Sequence, residues 1–457
     1  MRLAFAAMSL LLVSACSPAT RRPNIVLITL DTTRADHLSC YGHDRPTTPN
    51  LDRLAEEGER YTRAYSVTSW TLPAHASIFT GKFPSAHGAK HDPEGMLRLS
   101  QGIEGDFDSF RAQPIADGEV TLASILASVG YTTCGIAGGP WMKRVFRLDR
   151  GFQEYDDEGI DSVNGRPAAD ITRVAMAFLE RQAEKPFFLF LNYFDPHGPY
   201  LPEPRYLQLV KQPEDDPARM NRFEKEQLAY DAEIRYMDEH IGALLDDLRQ
   251  RGLYENTWII VLSDHGELMG DATLGGGPRT GHGHSLSEAE IHIPLIVKRP
   301  GSHAAKRPPG GTIDARVQQT DVLPTLLEAL GLPVPEGVQG RPFDAPERPD
   351  TYAEVYPLHT RTPFDWRAVG AWRVLFEDDY KYGWNSESRD FLVDLGTDPG
   401  EYVNIGPTDP IRVRRIQRRM RRLLRSLPAP GKVTEAVEVD AGTLESLQTL
   451  GYTGEEE

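Results

Sequence analysis

The sequence predicts an α/β protein: a doubly wound, mostly parallel sheet with a smaller α+β subdomain at its C-terminal end. Three observations predict it. Short apolar runs rich in β-branched residues recur along the chain, amphipathic helical patterns separate them, and after about residue 345 the pattern changes to polar–apolar alternation.

The 457 residues are enough for one large α/β domain and a smaller partner. The first sixteen stand apart. Arg2 precedes an apolar run, Leu3 to Val13, too short to span a bilayer, and Val13-Ser14-Ala15-Cys16 resembles a bacterial lipobox. The expectation is an exported protein of the cell envelope, an outer-membrane lipoprotein anchored by a lipid on Cys16. An ordinary signal peptide with Cys16 as a bystander is the alternative. Only Cys40 and Cys134 then remain, so no disulfide framework is expected.

Residues 23–345 read as the catalytic domain. Asn24–Leu30, Phe187–Asn192, Trp258–Leu262 and Ile293–Val297 have the length and composition of buried parallel strands. Ala168–Ala183 and Phe223–Leu248 carry apolar residues at helical spacing, and Asp321–Leu330 reads as a short helix closed by Gly331. Arg98–Gly118 is polar and irregular, as a surface insertion would be. In residues 346–457, Tyr380–Asp394 alternates like a hairpin turning near Asn385–Ser386. The basic stretch Arg412–Arg425 shows one apolar stripe, Ile416, Met420, Leu423 and Leu424, which would dock on its own protein or, alternatively, touch a membrane.

The net charge of -17 argues against a nucleic-acid partner, because a phosphate backbone needs clustered Lys and Arg. An acidic protein can still bind an anionic substrate if metal ions or local cations reverse the field inside the site.

The chemistry gathers at strand ends. Leu30 runs into Asp31, Leu191 into Asp195 and His197, and Leu262 into Asp264 and His265. In open α/β sheets ligands bind at that carboxyl edge. Each Asp alone could be a helix cap; three on one edge favour a shared site. Asp264-His265-Gly266 offers two metal ligands and a tight turn, and Asp31 a third. Thr71 precedes Pro73, which suits the first turn of a helix. A hydroxyl there faces unsatisfied N–H groups and the positive end of the helix dipole. Thr71 is thus a candidate nucleophile and metal ligand, activated by the metal, although a plain helix cap is the bland alternative.

Taken together, Asn24 to His37, the segment Ser69 to Gly81, Asp195 to Tyr200, Ser263 to Gly266, Gly281 to His284 and Asp321 to Thr325 resemble the sulfatase family of the alkaline-phosphatase superfamily. The resemblance runs from about residue 23 to 405. It implies an alkaline-phosphatase-like sheet and hydrolysis through a covalent intermediate on a metal-bound nucleophile. The departures matter. The family signature Cys (or Ser)-x-Pro-x-Arg, whose first residue becomes formylglycine, has Thr71 and His75 at its ends here. Oxidising Thr would give a ketone, which closes the aldehyde route. The family's Asp-Asp is Asp31-Thr32, its Asp-Asn is Asp264-His265, and a Lys expected near Gly138-Gly139 is missing. An imidazole among the ligands suits zinc or manganese better than calcium, which stays possible. A Thr nucleophile with Asp, Asp and His around the metal resembles the phosphodiesterase and phosphotransferase branches.

By the same match, His197 and His284 resemble residues that bind the substrate or protonate the leaving group, and His282 replaces a family Lys. With His75 they are the candidates to stabilise the oxyanion and protonate the leaving oxygen, a satisfied structural role being the alternative for each. Asp195, His197 and His284 could instead hold a second metal. His37, His43, His87 and His91 carry no assignment. The expected function is a metal-dependent hydrolase of phosphate or phosphonate esters, its substrate a small-molecule or glycan-type anionic ester. The alternatives are a sulfatase, or a non-catalytic envelope protein that keeps the fold.

Overall fold

The computed structural model describes residues 22–433, apart from 93–94, 96, 99–110, 161–164, 183–184, 273, 275, 302–309, 347, 349, 357–369 and 388. The leader with Cys16, most of the polar insertion and the tail after residue 433 lie outside the described residues.

Eight strands make the main sheet: β1 Asn24–Leu30, β2 Glu59–Tyr65, β3 Thr132–Ile136, β4 Glu154–Asp156, β5 Phe187–Tyr193, β6 Thr257–Ser263, β7 His292–Lys298 and β8 Gly311–Gln318. Their spatial order is β8-β2-β7-β6-β1-β5-β3-β4. β1, β5 and β6 are buried along their whole length, which is why they read as unbroken apolar runs. Helices cover both faces. Two buried clusters divide the strands by alternation: Ile25 and Leu27 pack on one face, Val26 and Ile28 on the other.

β7 corrects one expectation. It is buried and apolar as predicted but runs antiparallel to both β2 and β6. Burial on both faces writes the same sequence pattern whichever way a strand points, so direction was not readable. β2 and β8, with four polar or charged residues among seven and four among eight, escaped the apolar-run criterion. They pair with each other in parallel at the sheet's edge.

The helix predicted over 223–248 spans Arg222–Gln250, capped by Asn221 and Glu224. The helix expected to begin at Asp321 begins one residue later, Val322–Ala329, after a 3-10 turn. Arg111–Gln113, expected to be irregular, pairs with Lys90–His91 and Leu97–Arg98 in a small sheet.

The C-terminal part is a four-stranded antiparallel sheet of Thr351–Val355, Trp372–Glu377, Tyr380–Asn385 and Phe391–Asp394. Helix Pro410–Ser426 lies on it, burying Ile416 and Met420 against Tyr352, Leu375, Tyr382 and Leu392. Arg415 and Arg419 pair with Glu377, so this apolar stripe is used within the protein. No helix among the described residues is long and apolar enough to cross a membrane. Cys40 and Cys134 are free thiols.

Candidate active site

β1 and β6 are adjacent and parallel, with Leu30 opposite Ser263, so the residues that follow them arrive side by side at one edge. Asp31, Asp264 and His265 are there, fully buried, with ligand atoms all within 4.8 Å of one another. Two backbone amides, of Thr32 (3.1 Å) and His265 (2.8 Å), donate to Asp264 Oδ1. Its Oδ2 accepts no hydrogen bond, and neither does Asp31 Oδ1. Buried carboxylate oxygens left without partners cost on the order of several kcal/mol unless a cation sits between them. Burial, together with the neighbouring Asp264 carboxylate, pushes Asp31 well above the ordinary carboxylate range when no cation is there.

His265 completes the set. Its Nδ1 lies 2.9 Å from the Gly266 carbonyl, which can only accept, so Nδ1 carries the proton and Nε2 presents a lone pair. Burial holds this imidazole below its ordinary pKa and therefore neutral. Nε2 accepts from the Thr71 hydroxyl at 3.2 Å. Gly266 is required by space: a Cβ there would stand 2.1 Å from the Ala289 carbonyl oxygen.

Thr71 is the first residue of helix Thr71–Thr80, whose ten residues are all buried. Its hydroxyl thus sits where the leading N–H groups and the dipole favour an anion. The two unpartnered carboxylate oxygens, one imidazole nitrogen and this hydroxyl form a donor set that fits a divalent ion accepting nitrogen and oxygen.

Asn192, which sequence reasoning missed, holds the arrangement. Its Nδ2 donates to Asp31 Oδ2 and to Thr29 Oγ1, each at 3.2 Å. Its Oδ1 accepts from the amides of Gly138 and Gly139, both at 3.1 Å. The glycines at the place of the missing Lys are thus occupied in gripping Asn192.

His75 departs from its expected role. Its Nδ1 donates to the Thr71 carbonyl (2.8 Å) and its Nε2 accepts from Thr29 Oγ1 (2.9 Å), with Phe79 and Phe190 against the ring. Both nitrogens are engaged in the core, so His75 anchors the helix to β1 instead of facing a substrate.

Three more rings adjoin the site. His282 lies 4.5 Å from His265 and 5.1 Å from His197, centroid to centroid. Its Nδ1 is 3.0 Å from the buried carboxyl of Glu267, a second residue not foreseen. Burial pushes Glu267 up to about 7 and His282 down to about 4. His197 stacks on Phe194, donates from Nδ1 to the Gly198 carbonyl, and is pushed by burial down to about 3. His284 is half-buried on the same loop as His282. Asp195, expected beside these as a second-metal ligand, instead accepts from the Ala168 amide at the start of helix Ala168–Glu180. Among the described residues Asp195, His197 and His284 do not form a three-ligand group, which corrects the two-metal expectation.

Comparisons with known proteins bear on this arrangement. Residues 23–332 match the protein family described as Sulfatase. An ulvan-active sulfatase of Formosa agariphila is 27% identical over 424 residues, covering 84% of this chain and 77% of that protein. Among solved structures, one in complex with its substrate D-glucosamine-2-N,6-O-disulfate superposes with a TM-score of 0.68 at 22% identity, covering 89% of this chain and 97% of that one. A phosphonate monoester hydrolase from Silicibacter pomeroyi gives 0.69 at 21%, covering 89% and 96%. At those identities the structures speak for the fold alone.

Proposed function

The chain belongs to the sulfatase family, and from that premise we propose that it hydrolyses an ester of a tetrahedral oxyanion on a glycan-type substrate, at one divalent ion and through Thr71. The observation that carries this reading is the convergence of Asp31, Thr71, Asp264 and His265. These four would hold the ion. When bound, it supplies positive charge that favours ionisation of the Thr71 hydroxyl and offsets charge building on the ester oxygens. Zinc or manganese suits the imidazole ligand best.

The remaining steps fall to the chain's own groups. Thr71 Oγ1 attacks the central sulfur or phosphorus atom and the alcohol leaves. Water then cleaves the Thr71 ester, returning the hydroxyl and releasing the anion. The amides of the first turn at Thr71 face the oxyanion. His282, backed by Glu267, is the first candidate to hydrogen-bond the anion and protonate the leaving oxygen, with His197 and His284 beside it. The side chains that keep this geometry are Asn192 on Asp31 and His75, which ties its helix to Thr29 of β1.

A sulfate monoester comes first among substrates, because the relatives favour it: an ulvan-active sulfatase and a fold relative bound to a sugar disulfate. The expectation from sequence had put phosphate or phosphonate esters first, and these become the second reading. Thr71 itself favours it, since threonine cannot be oxidised to the aldehyde of the family signature, and a phosphonate monoester hydrolase shares the fold. A non-catalytic role is disfavoured by the convergence of Asp31, Asp264 and His265 beside the Thr71 hydroxyl. Envelope anchoring through Cys16 belongs to the same proposal and rests on the leader sequence.

Matched aryl esters decide the anion: sulfate monoester, phosphate monoester, phosphate diester and phosphonate monoester, each assayed with zinc, manganese or calcium. Metal-dependent turnover fastest on the sulfate supports the first reading. Turnover fastest on a phospho-ester replaces it with the second, and none on any ester refutes both.

A further inference from the structure

Away from the Thr71 site, the described residues bring together one other group offering a metal ion three donors. His37 and His43, on the loop after β1, meet Asp231 of helix Arg222–Gln250, with ligand atoms all within 4.8 Å of one another. His37 Nδ1 lies 2.7 Å from Asp231 Oδ1, and His43 Nε2 lies 3.1 Å from Oδ2. The two rings are 4.9 Å apart. Arg45 also reaches Oδ2, at 3.3 Å, but its guanidinium is shared with Asp215. Burial works against ionisation of Asp231, yet the hydrogen bonds from His37 and His43 outweigh it and hold the carboxyl below its ordinary range. A cavity of about 320 Å³ opens beside the cluster. Its wall carries five acids, Glu214, Asp215, Asp216, Glu224 and Asp231, against Arg45 and Arg219. The field there favours a cation, and the space admits water as a further ligand.

We propose that His37, His43 and Asp231 form a second site for a divalent metal of the imidazole-preferring class, such as zinc or cobalt, bracing the loop that carries Asp31. Two imidazoles and a carboxylate are a donor set such ions accept. Binding replaces two ring N–H···carboxylate hydrogen bonds by metal–nitrogen bonds, and each displaced proton moves to the other ring nitrogen or to solvent. The link to the catalytic loop is short. Tyr230, next to Asp231, donates its hydroxyl to the Thr32 carbonyl (2.8 Å) and accepts from the Arg34 amide (2.8 Å). Its ring meets His37 edge-on at 5.0 Å. Thr32, which follows Asp31, holds a left-handed φ of 51°. Such a backbone is strained and persists only where its surroundings fix it. A metal tying His37 and His43 to the helix beside Tyr230 fixes both ends of that loop.

The site stands apart from the reading of Thr71, and metal counting separates the two. Protein stripped with a chelator is dialysed against zinc, and metal per chain is measured for the wild type, His43→Ala, Asp264→Asn and the double variant. Expected are two ions, one, one and none. A wild type holding one ion with Asp264→Asn holding none overturns the second site, as does a His43→Ala protein that keeps two. An Asp264→Asn protein still holding two would count instead against the Thr71 site. Thermal melting with and without zinc gives a second readout. Stabilisation by zinc is reduced but kept in Asp264→Asn, His43→Ala and the milder His37→Gln, and is lost when Asp264→Asn is combined with either histidine variant. Undiminished stabilisation of an Asp264→Asn/His37→Gln protein would overturn the proposal.

Discussion

Replacing Asn192 by Ala removes the side chain that hydrogen-bonds Asp31 Oδ2 and sets that carboxylate. Four hydrogen bonds end at it, to Asp31, Thr29, Gly138 and Gly139, and the residue is fully buried. Truncation leaves two backbone amides and one Asp31 oxygen without partners. Each buried orphan costs about 1–3 kcal/mol, and partial relaxation brings the expected loss of stability to about 2–5 kcal/mol. The effect on the ion is separate. Residues that orient a ligand are worth about 10–100-fold in metal affinity, or about 1.4–2.7 kcal/mol. Titrating chelator-stripped Asn192→Ala with zinc or manganese, reading hydrolysis, should therefore shift the half-activating concentration upward by that factor, with activity recovering at saturation. Asn192→Asp keeps an acceptor for the two glycine amides but sets a carboxylate against Asp31, so its stability should recover more than its metal affinity. Asn192→Ala with metal affinity within twofold of wild type would refute the assignment of Asn192 as the residue that positions Asp31.

Thr71→Ala should abolish turnover while far-UV circular dichroism stays native, and Thr71→Ser should retain part of it; an active Thr71→Ala would exclude Thr71 as nucleophile. Gly266→Ala should destabilise the fold by about 1–3 kcal/mol in urea unfolding, because its Cβ would meet the Ala289 carbonyl at 2.1 Å. An unchanged unfolding midpoint would contradict the close approach. Lipid labelling in cells should mark the wild type and spare Cys16→Ser, and a label on neither would remove the anchor.

Much of the candidate site was legible because Asp31, Asp264 and His265 each follow a strand whose burial makes it conspicuous. Asp31 and Asp264 close apolar runs, and the parallel register of β1 and β6 turns two distant sequence positions into neighbours. Thr71 was legible from Pro73 and the helix start it announces. Asn192 was hidden for the opposite reason. It ends the apolar run of β5 and looks like that strand's last residue, and only its register opposite Thr29 of β1 places it beside Asp31. Glu267 lay two residues past His265, where nothing in the local pattern distinguishes a buried acid from a surface one. His75 was misjudged because its motif position suggested an anion contact, while the helical i, i+4 geometry sends its Nδ1 back to the Thr71 carbonyl. Asp195 shows the converse error: this strand-end carboxylate accepts from the Ala168 amide at the start of a helix and joins no three-ligand group among the described residues.

The central claim is a covalent ester on Thr71. Wild-type protein loaded with metal and given an aryl ester should be quenched with acid during turnover, digested and weighed by mass spectrometry. The account predicts one sulfuryl or phosphoryl group on the peptide carrying Thr71, absent from Thr71→Ala and from metal-free protein. The same group found on Ser66, Ser69 or a histidine, with turnover undiminished in Thr71→Ala, would contradict it.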